Sequence, residues 1–313
     1  MKSILQGIAI IFTLITSFLG NLYFLKGDLI LSAFISCIIV VILYFLIEQF
    51  IKRKSEISKN KFATTSILLW SLYILLSIPI SASLIHFLNV EINEKSEIQK
   101  ISNKKISNLN NMVSYYDTRV TNYLTSYSIE IQTKLYNYKS NKNTNLKTEL
   151  INKPYETAPS NLDNISSLDP KDIASDMRTA KQILFQRVKD SVTFQNQIYK
   201  GKYAKVFDNW SRLQLNIATD ELNTLLLQND KQFTNGFANL TDSITPPFYF
   251  EINQDKISLN HPFELWYKFK PYWFLIIVFL FNVLILLPYF IEPVAGRYIN
   301  TNKNPGSGGG III

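Results

Sequence analysis

The chain has 313 residues, 47% of them hydrophobic and 18% charged, too apolar for a soluble chain of this charge content and too polar for a bundle buried wholly in lipid. Its formal net charge of +8 divides into about +3 on residues 89–270 and about +5 on the rest, a spread that gives no reason to expect nucleic acid as a partner. The one cysteine, Cys37, lies inside an apolar block, which excludes a disulfide within the polar region and reads as a small hydrophobe.

The apolar residues fall in four blocks, 4–25, 29–47, 66–88 and 272–291, each long enough at 1.5 Å per residue to cross about 30 Å of hydrocarbon. Only Lys26, Gly27 and Asp28 separate the first two, which predicts a tight hairpin. Lys2 ahead of the first block imitates a signal peptide, but the block is too long and has no small-residue cleavage pattern, so it is read as retained. Pro79 in the third block removes a helical hydrogen bond and is expected to bend that span. Trp266, Tyr267, Tyr272 and Trp273 at one end of the fourth block and Tyr289 at the other form aromatic belts at the lipid boundaries. Asn282, mid-block, is a candidate hydrogen-bonding contact to a neighbouring span.

Short-loop charge sets the orientation. The loop 49–64 carries Lys52, Arg53, Lys54, Lys59 and Lys61, against Glu48 and Glu56 at and beyond its start. It is expected in the cytoplasm with both termini, and the polar region outside. Lys268 and Lys270, beside the fourth span on the other face, pull weakly against this.

In the polar region, Ile106, Leu109, Val113, Tyr116, Val120, Tyr123 and Tyr127 follow alternating steps of three and four, a heptad seam. With neither proline nor glycine from Asn89 to Lys153, a helix of about 45 residues is expected to continue the third span. Tyrosines at the seam suit a bundle, their hydroxyls reaching its rim. Residues 137–168, rich in Asn, Lys and Ser with Pro154 and Pro159, read as a connector or mobile tip. Asp169 as N-cap with Pro170 behind it starts a second helix bearing Ile173, Met177, Ala180, Leu184, Val188 and Val192. Gly201 is expected to break or bend it, and Val206, Trp210, Leu213, Ile217, Leu222 and Leu225 then define a third. Residues 233–264, with Pro246, Pro247 and alternation around Phe248, read as a strand or extended arm.

Nothing in this pattern points to an enzyme or a cofactor. His86 and His261 flank the outer ends of spans, but two histidines without further ligands read as interfacial side chains rather than a metal site. Asp169, Asp172 and Asp176 complement a helix N-terminus. Phosphate-loop, nucleophile-elbow and zinc-protease motifs do not occur, and the glycosylation patterns at Asn164 and Asn239 are what chance gives in an Asn-rich chain. No Asp, Glu, Lys or Arg lies inside a span, which argues against an ion path. The Gly/Ser-rich tail ends on Ile311, Ile312 and Ile313, either a disordered end or an apolar plug for a cytoplasmic partner.

The expected fold is mainly α, a polytopic membrane protein with four transmembrane helices arranged 3+1. Residues 1–88 form the N-terminal spans, 89–268 an elongated helical extracytoplasmic domain, 269–292 the last span and 293–313 a tail too short for a signalling domain. This organisation, with its Asn-, Lys-, Ile- and Tyr-rich composition, resembles the TssN-type membrane component of Bacteroidota type VI secretion systems. The resemblance implies a non-enzymatic scaffold in the inner membrane, in contact with lipid, with copies of itself and with other membrane subunits. The basic loop and the tail would then face a cytoplasmic baseplate. A sensor acting through a separate partner and a small channel are the alternatives from other classes.

Overall fold

The computed structural model describes residues 2–55, 62–241, 245–252, 259–270 and 272–291. These are mainly helical, without a strand: α1 (Lys2–Phe24), α2 (Leu29–Ser55), α3 (Phe62–Leu88), a π-helical stretch (Asn89–Glu94), α4 (Lys95–Asn141), α5 (Thr144–Ile151), α6 (Pro159–Asp163), α7 (Pro170–Asp208), α8 (Leu215–Leu240), α9 (Pro262–Phe269) and α10 (Tyr272–Ile291). They divide into two compact units, one from the described residues of 1–93 and 260–313, the other from 94–259.

In the first unit α1, α2, α3 and α10 are each long and apolar enough to cross a membrane. Helix is the form such sequences must take in lipid, because it satisfies every interior N–H and C=O within the segment. Asp28 caps α2, its carboxylate accepting from the Leu31 amide at 2.9 Å, and the turn before it closes through the Gly27 amide on the Leu22 carbonyl. Leu43, Ile47 and Phe50 of α2 pack with Tyr73, Ile80 and Leu84 of α3 and with Phe281 and Ile285 of α10. Residues facing outward are as apolar as those inside, among them Ile30, Phe34, Val41, Leu75, Ile78, Ile276 and Phe279. Helix α1 crosses α3 closely at Gly20, where an added Cβ would stand 2.2 Å from the Ser83 carbonyl oxygen. Helix α3 continues through Pro79.

In the second unit α4 packs along α7 and α8. Its buried residues are Ile98, Ser102, Lys105, Leu109, Met112, Tyr116, Val120, Leu124, Tyr127, Ile131, Leu135 and Tyr138. Leu109, Val120 and Ile131 recur at an eleven-residue interval, about 3.67 residues per turn. That lies closer to the 3.6 of a straight helix than a heptad does, so the stripe drifts off the predicted seam. Leu109, Tyr116, Val120 and Tyr127 are buried as the spacing predicts; Ile106, Val113 and Tyr123 are half-buried, and Lys105, Met112 and Leu124 take the core positions beside them.

The connector 137–168 is a folded cap. Asn143 starts α5, its side chain accepting from the Asn145 amide at 2.8 Å, and Leu150, Tyr155, Leu162 and Ile165 close over Ile131, Leu135, Tyr138 and Ile173. Asp169 caps α7 as expected, accepting from the Lys171 amide at 2.9 Å. Helix α7 runs through Gly201 without a break, since tertiary packing along its length outweighs the roughly 1 kcal/mol that one glycine costs a helix. The chain turns instead after Asn209, where Trp210 is buried with the Lys95 ammonium 5.3 Å from its ring. Val206 therefore lies in the last turn of α7, Trp210 and Leu213 lie in the turn that follows, and α8 runs on past Phe233 to Leu240. Around Phe248 the chain is an arm rather than a strand, with Phe248 buried against Tyr115, Tyr116 and Phe233.

Two alanine substitutions separate these environments. Gly20→Ala forces α1 and α3 apart and lowers stability in detergent by about 1–3 kcal/mol. Gly201→Ala, where nothing lies within 4 Å of the added Cβ, raises it by about 0.5–1 kcal/mol. Thermal melts of the two variants check both signs.

Candidate functional site

The heptad residues of α4, candidates for contact with a partner as well as for a bundle seam, lie largely inside the second unit. Tyr116, 1% exposed, stacks on Phe233 at 4.2 Å and meets Phe185, Phe237 and Phe248 edge-on. Its hydroxyl is buried and has no hydrogen-bond partner among the described residues. The Tyr127 hydroxyl donates to the Tyr155 carbonyl at 3.2 Å and that of Tyr123 to the Leu240 carbonyl at 3.4 Å. These hydroxyls thus stay within the bundle instead of reaching its rim. The Lys181 ammonium lies 4.6 Å from the Tyr127 ring centroid and donates to the Pro154 carbonyl.

Amides fix the register of the three long helices. Asn229 donates to the Asn196 side-chain oxygen at 2.7 Å, Asn196 donates to the Leu109 carbonyl at 3.4 Å, and the Lys105 ammonium donates to Asn223 at 2.7 Å. Sliding one helix by a turn would leave these buried groups unpaired, a cost of about 1–3 kcal/mol each. The signal for them was present: Asn196 falls between Val192 and Tyr199, and Asn229 between Leu226 and Phe233, each flanked at helical spacing by apolar or aromatic residues.

Among the spans, Asn282 accepts from the Tyr73 hydroxyl at 2.9 Å and donates to the Val278 carbonyl at 2.8 Å. A second amide, Asn21, donates to Ser36 and accepts from Ser83, both at 3.0 Å, linking α1 to α2 and α3. At the end of α2 the Lys54 ammonium donates to the Tyr289 carbonyl at 2.8 Å and sits over its ring, capping α10; Lys52 is exposed and Arg53 half-buried. Lys59, Lys61, Ile311, Ile312 and Ile313 lie outside the described residues. His86 is buried with the rings of Tyr23 and Phe24 edge-on to it, whereas His261 is exposed ahead of α9. No group of three His, Cys, Asp or Glu side chains able to hold a metal occurs among the described residues.

The outer surface of α7 carries what sequence reading passed over. Ile183, Phe194 and Ile198, exposed by 50%, 63% and 55%, fall on one face with Arg187, Asp190 and Gly201 at helical spacing. Beside them a groove of about 370 Å³ opens between α7 and α8, lined by Ile198, Tyr199, Lys202, Glu221, Leu225 and Gln228. Glu221 accepts from the Tyr203 hydroxyl at 2.7 Å and pairs with Lys202 at 3.5 Å. The arrangement offers apolar contact area with a charged margin. No family model, curated protein or solved structure matches the chain.

Burial pushes the phenols of Tyr116, Tyr127 and Tyr199 above the ordinary tyrosine range. A folded-state pKa raised in this way contributes stability that is complete below the unfolded value of about 10 and lost as pH rises beyond it. Alkaline titration followed by helical circular dichroism therefore shows the bundle unfolding above about pH 10. Tyr116→Phe, which removes the unpartnered hydroxyl, moves that midpoint upward and raises neutral-pH stability by about 1 kcal/mol.

Proposed function

We propose that the chain is a non-enzymatic, membrane-anchored scaffold subunit of an envelope-spanning secretion complex, of the type VI kind that its organisation resembles. The observation that carries this reading is the apolar face of α7, Ile183, Phe194 and Ile198, standing in water on a bundle joined in sequence to four membrane-length helices. Exposed apolar residues gathered on one face of an otherwise polar domain mark a surface made to be covered. The hydrogen-bonded, tightly packed spans suit an anchor better than a pathway.

On this reading the chain sits in the bacterial inner membrane with both termini and the 49–64 loop in the cytoplasm and the central bundle in the periplasm. The α7 face meets other copies or other membrane subunits. Exposed Lys52, with Arg53 and the Ile311–Ile313 tail, serves cytoplasmic baseplate proteins, while Lys54 holds α10.

The test is affinity purification of the tagged chain in mild detergent from a strain carrying the whole secretion cluster. Wild-type protein is expected to bring other secretion subunits with it in a large complex. Phe194→Asp, at a side chain 63% exposed, is expected to melt within about 0.5 kcal/mol of wild type and to elute as a smaller species without partners. Wild-type protein that recovers no secretion subunit, or a Phe194→Asp complex of unchanged size, overturns the proposal.

A further inference from the structure

We propose that the first unit holds one phospholipid in a groove formed by α1, α3 and α9, its acyl chain along the groove and its phosphate at Lys26 and Lys270; this rests on the reading of the chain as a membrane protein. The groove encloses about 400 Å³ and is lined by Phe24 of α1, Ala82, Ile85 and His86 of α3, and Phe263 and Trp266 of α9. Its walls are mainly apolar, and its size falls within the range of small-molecule sites.

Three observations point to lipid as the occupant. Leu75, Ile78, Ala82 and Ile85 follow one another at steps of three and four along α3; the first three are exposed and the fourth half-buried. The outward stripe of the span therefore runs directly into the groove, so a chain entering it comes from the surface that already faces hydrocarbon. Helix α9 has the character of an interfacial helix: Leu265 is buried, Phe263 and Tyr267 are 76% and 73% exposed, and Tyr272 and Trp273 follow at the start of α10. Aromatic side chains of this kind are favoured at headgroup depth and disfavoured in bulk water. Finally, two segments that line the groove each lead into an exposed lysine. Phe24 is followed by Lys26 in the α1–α2 turn, and Trp266 by Lys270, whose amide bonds back to the Trp266 carbonyl at 2.8 Å. Ammonium groups at a lipid boundary favour an anionic phosphodiester headgroup.

The full chain in nanodiscs containing a phosphatidylglycerol with a diazirine in its acyl chain tests this, with photolabelled peptides mapped by mass spectrometry. Labelling of residues 78–86 and 262–267 is expected to saturate and to be competed by unlabelled phosphatidylglycerol, while labelling of the outward faces of α2 and α10 follows bulk lipid. Ala82→Trp fills the groove and removes the saturable labelling. Lys26→Gln and Lys270→Gln, at exposed positions that leave the fold intact, each weaken competition by phosphatidylglycerol about fivefold and leave phosphatidylcholine unaffected. Groove labelling that rises with bulk lipid like that of α2 and α10, or that survives both Ala82→Trp and the lysine changes, overturns the lipid site alone. Absence of labelling on α2 and α10 as well overturns the membrane reading beneath it.

Discussion

The outward side chains of α1, α2, α3 and α10 are largely isoleucine, leucine, valine and phenylalanine, and a surface of that kind suits hydrocarbon rather than water. The constraint reaches inward. When lipid covers the outside, burying apolar groups between helices gains little, so association relies on close approach and hydrogen bonds. The spans supply both: Gly20 lets α1 meet the Ser83 backbone, Asn21 joins α1 to α2 and α3, Tyr73 joins α3 to Asn282 of α10, and Lys54 ties the end of α2 to that of α10.

The second unit uses water in the ordinary way. One α4 stripe is buried from Ile98 to Tyr138, and its aromatic centre, Tyr116 on Phe233 with Phe185, Phe237 and Phe248 around it, supplies the apolar area. Asn196, Asn229 and Lys105 contribute specificity of alignment. A surface that remains apolar after this packing, as on α7, is then a feature of the exterior.

The spans were legible because length and the absence of charge suffice to find them, and Asn282 because an amide in hydrocarbon needs a partner. The seam was legible in direction but not in period: seven positions from Ile106 to Tyr127 cannot separate 3.5 from 3.67 residues per turn, whereas the full stripe from Ile98 to Tyr138 can. Gly201 misled because local propensity was weighed without the packing along α7. The cap at 137–168 was hidden by its Asn, Ser and Pro content, which suits short capped helices as well as loops. On α7 the exposed face alternates with Arg187 and Asp190, so no apolar run betrays it, and the groove of α1, α3 and α9 draws on three segments far apart in the chain.

The proposed topology has four crossings of the membrane, by α1, α2, α3 and α10, with the α4–α7–α8 bundle outside and the end of α2 inside. Single cysteines placed at exposed Ser126 and Lys52, in a Cys37→Ser background, test it through a membrane-impermeant maleimide applied to spheroplasts. The account predicts that Ser126→Cys is labelled in intact spheroplasts and Lys52→Cys only after lysis. Labelling of Lys52→Cys before lysis, or protection of Ser126→Cys, would contradict it.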